Sequence, residues 1–352
     1  MNNPLSPQVN RSFKWNGSAV TIEALIAKAQ DLIAEGMDYE KELGAFLLEW
    51  FNDLPYITSQ TSGSTGTPKL IQRPKVAMLH SAWATGAFFH LKAGNSALHC
   101  LSVKFIAGKM MLVRGLILGL EMDFVAPNAT PLDRNQTHYD FVAMVPLQVQ
   151  NSIAELQNVK QLIIGGAQIN ELLKRQLLNL PTQVYETYGM TETITHIAAR
   201  RLGERAFTVL PNVTIFKDNR DCLVINAPRI SDQIIVTNDL VDFISETQFQ
   251  LLGRIDNIVN SGGIKLIPEQ IEAKLFSKIA TRFFVIGVPD LALGEKLILV
   301  LESEKMHFDD SVFEDLSKYE IPKNILFIPK FKETENGKIL RKESIKVFFN
   351  LF

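Results

Sequence analysis

The chain has 352 residues, of which 46% are hydrophobic and 21% are charged, and its formal net charge at pH 7 is −2. This length predicts two domains, and the composition supplies enough apolar residues for substantial cores, which excludes disordered, collagenous and coiled-coil classes. The near balance of 36 Lys and Arg with 38 Asp and Glu residues argues against a nucleic-acid-binding surface.

No segment has the pattern of a membrane span or a secretory signal. The uncharged stretch from Val76 to Leu91 has 16 residues, and a membrane helix needs roughly 20. Residues 1–10 contain neither a basic nor an apolar segment, so no signal peptide is expected. Cys100 and Cys222 form no CxxC pair, which argues against a disulfide framework or a thiolate metal site. The sequence therefore predicts a cytoplasmic protein.

The first hundred residues predict three helices. Between Glu23 and Trp50, apolar residues recur at helical spacing on both sides of Gly36, which indicates two amphipathic helices. Proline is favoured in the first turn of a helix, so Pro74 can open the third one. One face of that third helix is predicted to carry Val76, Leu79, Trp83, Gly86 and His90.

The middle of the chain predicts an α/β domain with a largely parallel sheet. From Ser96 onward, short apolar runs alternate with helix-like segments, as expected of parallel strands joined by helices. The predicted strands here are Phe141–Val145, Leu162–Ile164 and Val184–Tyr188, with a helix at Glu171–Leu180.

Residues 206–252 differ, because short β-like runs follow one another with turn residues between them. We interpret this segment as a small β subdomain. Its predicted strands are Phe207–Leu210, Val213–Phe216, Leu223–Ile225 and Ile234–Thr237.

From Ile258 the pattern becomes strand, turn, strand and helix, with the turn at Ser261–Gly263 and the helix beginning at Pro268. The sequence therefore predicts a large domain over residues 1–255 and a smaller α+β domain over residues 256–352.

The segment TSGSTGTPK, from Thr61 to Lys69, is the strongest indication of a ligand site. Its backbone N–H groups and hydroxyls can surround phosphate oxygens, its glycines permit close approach, and its lysine adds a positive charge. The spacing is neither that of the P-loop nor that of G-x-G-x-x-G. A solvated linker is the alternative, but linkers rarely end in Pro-Lys before an amphipathic helix. The candidate phosphate-binding residues are Thr61, Ser62, Gly63, Ser64, Thr65, Gly66, Thr67 and Lys69.

Five ordered motifs make the sequence resemble the adenylate-forming superfamily of acyl-CoA synthetases, adenylation domains and luciferases. TSGSTGTPK matches the phosphate-loop signature of that superfamily, and the resemblance covers about residues 58–345. The other motifs follow in the family's order. They are Gly165-Gly166-Ala167, Tyr188-Gly189-Met190-Thr191-Glu192, Thr237-Asn238-Asp239 with Gly253-Arg254-Ile255-Asp256, and Asn336-Gly337-Lys338-Ile339-Leu340-Arg341.

The resemblance implies an α/β fold and a two-step reaction. The large N-terminal domain, with α/β sheet layers and a small β subdomain, would bind ATP and the acyl group. The smaller C-terminal α+β domain would act as a lid that rotates about Asp256. A carboxylic acid would first be joined to the α-phosphate of ATP and then be transferred to coenzyme A, with Mg²⁺ as the metal ion.

The resemblance also assigns the catalytic roles. Lys338 would bridge the substrate carboxylate and the α-phosphate, where charge develops; from charge alone it would be an exposed lysine of a basic tail. Thr191 would contact the α-phosphate. Glu192 would bind Mg²⁺, a hard cation that prefers oxygen ligands.

The remaining candidates would bind the nucleotide. Tyr188 would offer a π surface to adenine, although by itself it would be a core residue, and Gly189 belongs to the same motif. Gly166 and Ala167 follow a predicted strand, where open sheets bind ligands, or they form a plain turn. Asp239 would accept hydrogen bonds from the ribose.

Two further elements complete the set of implied contacts. Arg254 would lie beside the ribose-binding aspartate. Gly262 and Gly263 would approach the pantetheine of coenzyme A, and a tight hairpin turn is an equally compatible interpretation of this pair.

The N-terminal region departs from the family pattern. Only 60 residues precede Thr61, far fewer than in most full-length relatives, so part of the coenzyme A entrance and the usual dimer contacts are expected to be missing. The oligomeric state stays open. In its short N-terminal region the chain resembles the o-succinylbenzoate-CoA ligases of menaquinone synthesis in some bacteria, among which a shortened form occurs. The segment Leu101–Leu116 is similar to the pocket-lining segment of that group, except that Phe105 replaces the usual histidine.

This segment also bears on the substrate. It lacks the acidic residue with which amino-acid-activating relatives pair the substrate amine, and Lys104, Lys109 and Arg114 are its cations. A cation near the pocket would suit an acid with a second carboxylate, because burying an unpaired charge is costly. Alternatively, all three cations face solvent or meet structural carboxylates. We therefore expect o-succinylbenzoate as substrate. Another aromatic or fatty acid, a carrier-protein acceptor and a non-catalytic nucleotide-binding protein are the alternatives.

Overall fold

The computed structural model describes residues 9–60, 70–167, 169–305, 309–333 and 339–349. The chain divides into two compact units. Unit 1 comprises Met1–Thr214 and Ile225–Ile235, and unit 2 comprises Ile215–Val224 and Val236–Phe352. Most strands of the predicted β subdomain are thus grouped with the C-terminal residues. The predicted border between residues 255 and 256 is the point about which the C-terminal domain would rotate. It stays a prediction.

The helices of unit 1 include the three predicted in the first hundred residues. They are α1 Ile22–Glu35, α2 Asp38–Phe51, α3 Lys75–Phe88, α4 Ile106–Leu118, α5 Pro146–Asn151 and α6 Glu171–Leu178. The Thr21 hydroxyl caps α1 by accepting from the Ala24 N–H at 3.2 Å. Gly36 ends this helix and separates it from the next, and α3 begins directly after Pro74.

The strands of unit 1 form a hairpin and a larger sheet. Their bounds are β1 Lys14–Trp15, β2 Ser18–Ala19, β3 Tyr56–Gln60, β4 Leu70–Pro74, β5 Ser96–His99, β6 Glu121–Phe124, β7 Tyr139–Met144, β8 Val159–Ile164, β9 Gln183–Gly189, β10 His196–Arg201 and β11 Phe207–Val209. Strands β6, β5, β7, β8 and β9 are parallel neighbours in that order. β10 and β11 continue the sheet antiparallel beyond β9. The parallel centre confirms the predicted α/β class.

This sheet is buried on both faces. Phe141 and Ala143 of β7 belong to one apolar cluster, and the alternate residues Val142 and Met144 belong to another. Successive strand residues point to opposite faces, so the two clusters cover the two sides. The first cluster includes residues of α1 to α4, and the second includes residues of α5 and α6. The carboxyl ends of the strands are left as the accessible edge.

The described part of unit 2 includes strands of two sheets and the helices α7 and α8. Strands β12 Thr214–Lys217, β13 Cys222–Asn226, β14 Ile235–Ser245 and β15 Gln248–Arg254 are neighbours in that order. The second sheet is built from β16 Val259–Ser261, β17 Ile264–Leu266, β18 Phe283–Asp290, β19 Gly294–Glu302 and β20 Asn324–Ile328, with α7 Pro268–Leu275 and α8 Arg341–Phe349. Four predicted β runs and the predicted strand, turn, strand and helix after Ile258 are confirmed.

Candidate functional site

Two predicted motifs lie at the same edge of the unit 1 sheet. β8 ends just before Gly165-Gly166-Ala167, and β9 ends just before Met190-Thr191-Glu192. The two strands are parallel neighbours, so their carboxyl ends meet at one edge. Open α/β sheets bind ligands at this edge.

The glycines of these motifs have local structural reasons. Gly166 has a φ of +89°, a conformation that side chains with a Cβ rarely adopt. A Cβ on Gly189 would lie 2.4 Å from the carbonyl oxygen of Thr195 and 2.6 Å from the Cα of His196. Gly189 is therefore required by the close approach of β9 and β10, whatever it contacts in a ligand.

Thr191 and Glu192 lie in a short 3₁₀ turn that is held from within. The Thr193 hydroxyl accepts a hydrogen bond from the Met190 N–H at 2.9 Å, and it donates one to the Thr195 carbonyl oxygen at 2.7 Å. The Glu192 side chain is exposed, and Thr191 is half-buried. The turn therefore presents a carboxylate to solvent at the edge of the sheet.

Arg73 connects this turn to the strand that follows the predicted phosphate loop, and the sequence analysis missed it. It is buried on β4, and its guanidinium donates to the Thr191 carbonyl and, at 3.3 Å, to the Ser59 hydroxyl. Burial lowers the pKa of Arg73, and the Glu192 carboxylate opposes that shift. The sequence signal that could have identified Arg73 is a cation in the strand that follows the predicted phosphate loop.

The predicted phosphate-loop residues and Lys338 lie outside the described residues. For the loop at 61–69, the structure describes the flanking hairpin, in which β3 and β4 are antiparallel and Gln60 stands opposite Leu70. For residues 334–338, the flanking Glu333 and Ile339 form an antiparallel bridge. The roles of these two segments stay predictions.

Tyr188 is buried. Its ring centroid lies 5.9 Å from that of Phe207 on β11, and only 8% of its surface is exposed. This packing agrees with the interpretation of Tyr188 as a core residue, and its contact with adenine stays a prediction.

Two of the three cations of the segment Leu101–Leu116 meet carboxylates of α2. Lys104 lies 2.7 Å from Glu42. Lys109 is buried, lies 3.4 Å from Glu49 and donates to the Thr58 carbonyl at 3.0 Å. For these two lysines, the alternative of structural ion pairs is correct.

Arg114 differs, because its described partners are all neutral. It is 2% exposed, and its guanidinium lies 3.3 Å from the Thr85 hydroxyl, 3.2 Å from the Thr195 hydroxyl and 3.5 Å from His196 Nδ1. Burial and the nearby Arg114 charge hold the pKa of His196 well below its usual value, so the imidazole is neutral. Burial lowers the pKa of Arg114 to about 10. Unit 1 therefore holds a buried positive charge that no carboxylate of its described part pairs.

In unit 2, the structure brings the predicted pair Asp239 and Arg254 together. The residues face each other on β14 and β15, and Arg254 Nη1 lies 3.4 Å from Asp239 Oδ1. Arg254 Nη2 also lies 2.8 Å from Asp256 Oδ2, and this hydrogen bond lowers the pKa of the Asp256 carboxyl. The predicted ribose residue and the predicted hinge residue thus share one guanidinium.

Two more residues belong to this network: the sequence analysis named Asn238 only as part of a motif, and it missed Arg220. Asn238 donates to Asp256 Oδ1 at 3.1 Å, and it accepts from Arg220 Nη1, also at 3.1 Å. Arg220 stands at the β12–β13 turn and belongs to no motif, so its sequence position gave no signal.

Gly262 and Gly263 form the turn between β16 and β17. Their φ values of +59° and +83° suit the tight hairpin turns that favour glycine. The hairpin interpretation is therefore correct, and an approach of coenzyme A to this turn stays a prediction.

Glu192 fits a magnesium ion held mainly by phosphate oxygens. Within the described ranges, no three or more His, Cys, Asp and Glu side chains are grouped as a metal site. Magnesium commonly takes one or two carboxylates and completes its shell with substrate phosphates and water. One exposed carboxylate, at the edge where open α/β sheets bind ligands, meets that requirement.

No helix in the part of the chain that the structure describes is long and apolar enough to span a membrane.

A family model described as AMP-binding enzyme matches residues 49–228. The chain belongs to this family of AMP-binding enzymes. A 2-succinylbenzoate–CoA ligase from Staphylococcus aureus (strain MSSA476) is 25% identical over 379 residues, which cover 94% of this chain and 76% of the relative. One from Bacillus cytotoxicus is 24% identical over 335 residues, covering 80% and 68% of the two chains.

Solved structures agree with this assignment. An acyl-CoA synthetase (AMP-forming)/AMP-acid ligase II-like protein from Dyadobacter fermentans is 35% identical, with a TM-score of 0.61, over 88% of this chain and 94% of that chain. The o-succinylbenzoate coenzyme A synthetase from Bacillus subtilis, in complex with ATP and magnesium ion, shares the fold at 19% identity, with a TM-score of 0.69 over 82% and 69% of the two chains. The predicted family and fold class are confirmed. The predicted ATP and magnesium match the ligands of the Bacillus subtilis protein.

Proposed function

We propose that this AMP-binding enzyme is an acid–thiol ligase that converts o-succinylbenzoate to o-succinylbenzoyl-CoA. In the first step, a carboxylate oxygen of the acid attacks the α-phosphorus of ATP, and the bond to the bridging β-phosphate oxygen breaks, so pyrophosphate leaves. In the second step, the thiolate of coenzyme A attacks the acyl carbon, and AMP leaves.

The candidate residues have distinct tasks in this scheme. Thr191 contacts the α-phosphate, and Lys338 offsets the charge that develops between the acid and the phosphate. Glu192 holds magnesium, which offsets the charge of the triphosphate when bound. Asp239, beside Arg254, accepts hydrogen bonds from the ribose.

The charge of Arg114, which no described carboxylate pairs, is the observation that favours o-succinylbenzoate as the acid. o-Succinylbenzoate has a second carboxylate that stays unreacted, and a buried guanidinium is a suitable partner for it. Lys104 and Lys109 already pair with carboxylates. Arg114 is therefore the cation of this segment that is left for a substrate. The 2-succinylbenzoate–CoA ligases among the relatives support the same substrate.

A panel assay tests the proposal. Pyrophosphate exchange and then thioester formation would be measured with o-succinylbenzoate, benzoate, medium-chain fatty acids and amino acids, using coenzyme A and a phosphopantetheinylated carrier protein as acceptors. We expect o-succinylbenzoate and coenzyme A to be preferred. A clear preference for a monocarboxylate would refute the substrate and leave the ligase reaction standing. No exchange with any acid would favour non-catalytic nucleotide binding.

The two half-reactions are proposed to use two positions of residues 256–352, which rotate about Asp256. The variant Lys338→Ala should abolish adenylation and spare thioester formation from supplied acyl-adenylate, because the lysine acts in the first step only. Equal loss of both steps would contradict the rotation. The cytoplasmic location stays a prediction, and the oligomeric state stays open.

A further inference from the structure

The chain is fixed by hydrogen bonds on both sides of residues 334–338. Glu333 and Ile339 form an antiparallel bridge, and the Leu340 N–H donates to the Lys332 carbonyl at 2.8 Å. The Lys332 N–H in turn donates to the Ser344 hydroxyl at 2.9 Å. Both flanks of the segment that carries the predicted catalytic lysine are thus attached to the beginning of α8.

Arg341, the first residue of α8, forms a two-pronged ion pair with Glu272 of α7. Its Nη1 lies 2.8 Å from Glu272 Oε1, and its Nη2 lies 2.9 Å from Oε2. Nη1 also donates to the Val285 carbonyl at 3.2 Å, and the Val285 N–H donates to Glu272 Oε1 at 2.7 Å. A planar guanidinium that meets a carboxylate in this way fixes orientation as well as distance. Arg341 therefore ties α8 to both α7 and β18.

Apolar packing alone does not fix the orientation of α8. α8 is anchored in the core by Ile345, which is fully buried and lies one turn after Arg341 on the same face. Among the described side chains of α8, Ile345 is the fully buried apolar anchor, so the helix could still turn about its axis. The ion pair at its beginning, together with the Lys332–Ser344 hydrogen bond, restricts that freedom.

The ion pair is also expected to contribute little to stability by itself. Glu272 is 4% exposed, and burial raises its pKa to about 7 although Arg341 opposes the shift. Removing charges from water offsets much of the attraction within a buried pair, so such pairs are weak evidence for stability. What the pair adds is a defined position for the chain that leads into α8.

We propose that Arg341 is a positioning residue for adenylation, and that with Glu272 it fixes the end of the segment that carries Lys338. The inference rests on the proposed function, because that function assigns Lys338 to adenylation. Arg341 follows Lys338 by three residues, a reach of about 10 Å at most. The position of Arg341 therefore limits where the lysine can lie.

The test measures the two half-reactions separately in full-length variants. Arg341→Met removes the two-pronged ion pair. The double variant Glu272→Leu/Arg341→Met removes both charges, so it leaves no unpaired buried carboxylate. We expect pyrophosphate exchange with o-succinylbenzoate to fall about 10- to 100-fold in both, because a displacement of about 1 Å can cost about 100-fold. Thioester formation from supplied o-succinylbenzoyl-adenylate should be unchanged.

Two comparisons sharpen the test. Arg341→Lys keeps the charge without the two-pronged ion pair and should restore only part of the exchange rate. Lys346→Met, at an exposed position of the same helix, should change neither half-reaction.

Equal losses in both half-reactions, or an unchanged exchange rate in the double variant, would overturn the inference. Wild-type protein that exchanges pyrophosphate with none of the acids would instead overturn the proposed function.

Discussion

Arg114→Met should make the protein more stable and less selective. Methionine has a similar length and no charge, so the variant removes a buried cation whose described partners are two hydroxyls and a neutral imidazole. Without the substrate, this charge is a cost to the fold. With the substrate bound, the same charge is expected to pair with the second carboxylate.

The size of the stability change follows from the site. Burial lowers the pKa of Arg114 from 12.5 to about 10, and at about 1.4 kcal/mol per pKa unit the charged form costs about 3 kcal/mol. The variant also loses the hydrogen bonds to the Thr85 hydroxyl at 3.3 Å and the Thr195 hydroxyl at 3.2 Å. These bonds are longer than the usual length of about 2.9–3.0 Å, so each contributes about 1 kcal/mol, less than a short hydrogen bond to a charged group. A net gain of about 1 kcal/mol corresponds to a rise in the unfolding midpoint of about 2–4 °C.

The change in activity has the opposite sign. A hydrogen bond to a charged group is worth about 1.5–3 kcal/mol, so kcat/KM for o-succinylbenzoate should fall about 10- to 150-fold. The value for benzoate should stay the same, because benzoate has no second carboxylate. Lys109→Met is the matched control: it removes a buried cation that has a carboxylate partner, so it leaves Glu49 unpaired and should lower the unfolding midpoint.

Calorimetric scans of the three proteins and steady-state kinetics with both acids check this reasoning. A lower midpoint for Arg114→Met, together with equal losses of kcat/KM for both acids, would show that Arg114 is a structural residue and would refute its pairing with a carboxylate.

Three further outcomes are expected. Arg73→Ala should raise the KM for ATP and the magnesium concentration needed for half-maximal activity, because Arg73 holds the Thr191 carbonyl; a magnesium titration checks this, and a loss confined to kcat would contradict it. Gly189→Ala should lower the unfolding midpoint, since overpacking costs about 1–3 kcal/mol and its Cβ would crowd a backbone carbonyl; an unchanged midpoint would contradict it. Burial lowers the pKa of His99 from 6.5 to about 4, so its contribution to stability is present above pH 6.5 and is lost as the pH falls towards 4, by about 3 kcal/mol. Unfolding of wild type and His99→Gln across this range should show a flatter dependence for the variant, and parallel curves would refute the assignment.

Local patterns predicted the fold best where apolar residues recur at helical spacing or form short runs between turns. The amphipathic helices α1 and α2 were found from their apolar spacing, and the parallel strands β7, β8 and β9 were found as short apolar runs. α4 was not predicted as a helix, because it is buried on nearly every side. A helix without a polar face has no amphipathic period to recognise.

The candidate site was predictable where ordered motifs mark it and unpredictable where distant contacts decide it. Arg73 meets a residue 118 positions away, and no local pattern reports that contact. The sequence also could not tell which of the three cations is paired. Glu42 and Glu49 are seven residues apart on α2, so they lie on one face, but only the packing shows that this face meets Lys104 and Lys109.

Two buried arginines of unit 1 contact one short stretch of chain. Arg73 donates to the Thr191 carbonyl, and Arg114 donates to the Thr195 hydroxyl, so two buried guanidinium groups contact residues four positions apart. Glu192 opposes the first charge, and no carboxylate of the described residues opposes the second. A buried positive charge is costly unless an anion pairs with it. In the proposed function, the nucleotide phosphates would offset the first charge and the second carboxylate of the acid would pair with the second, so residues 191–195 would serve both substrates.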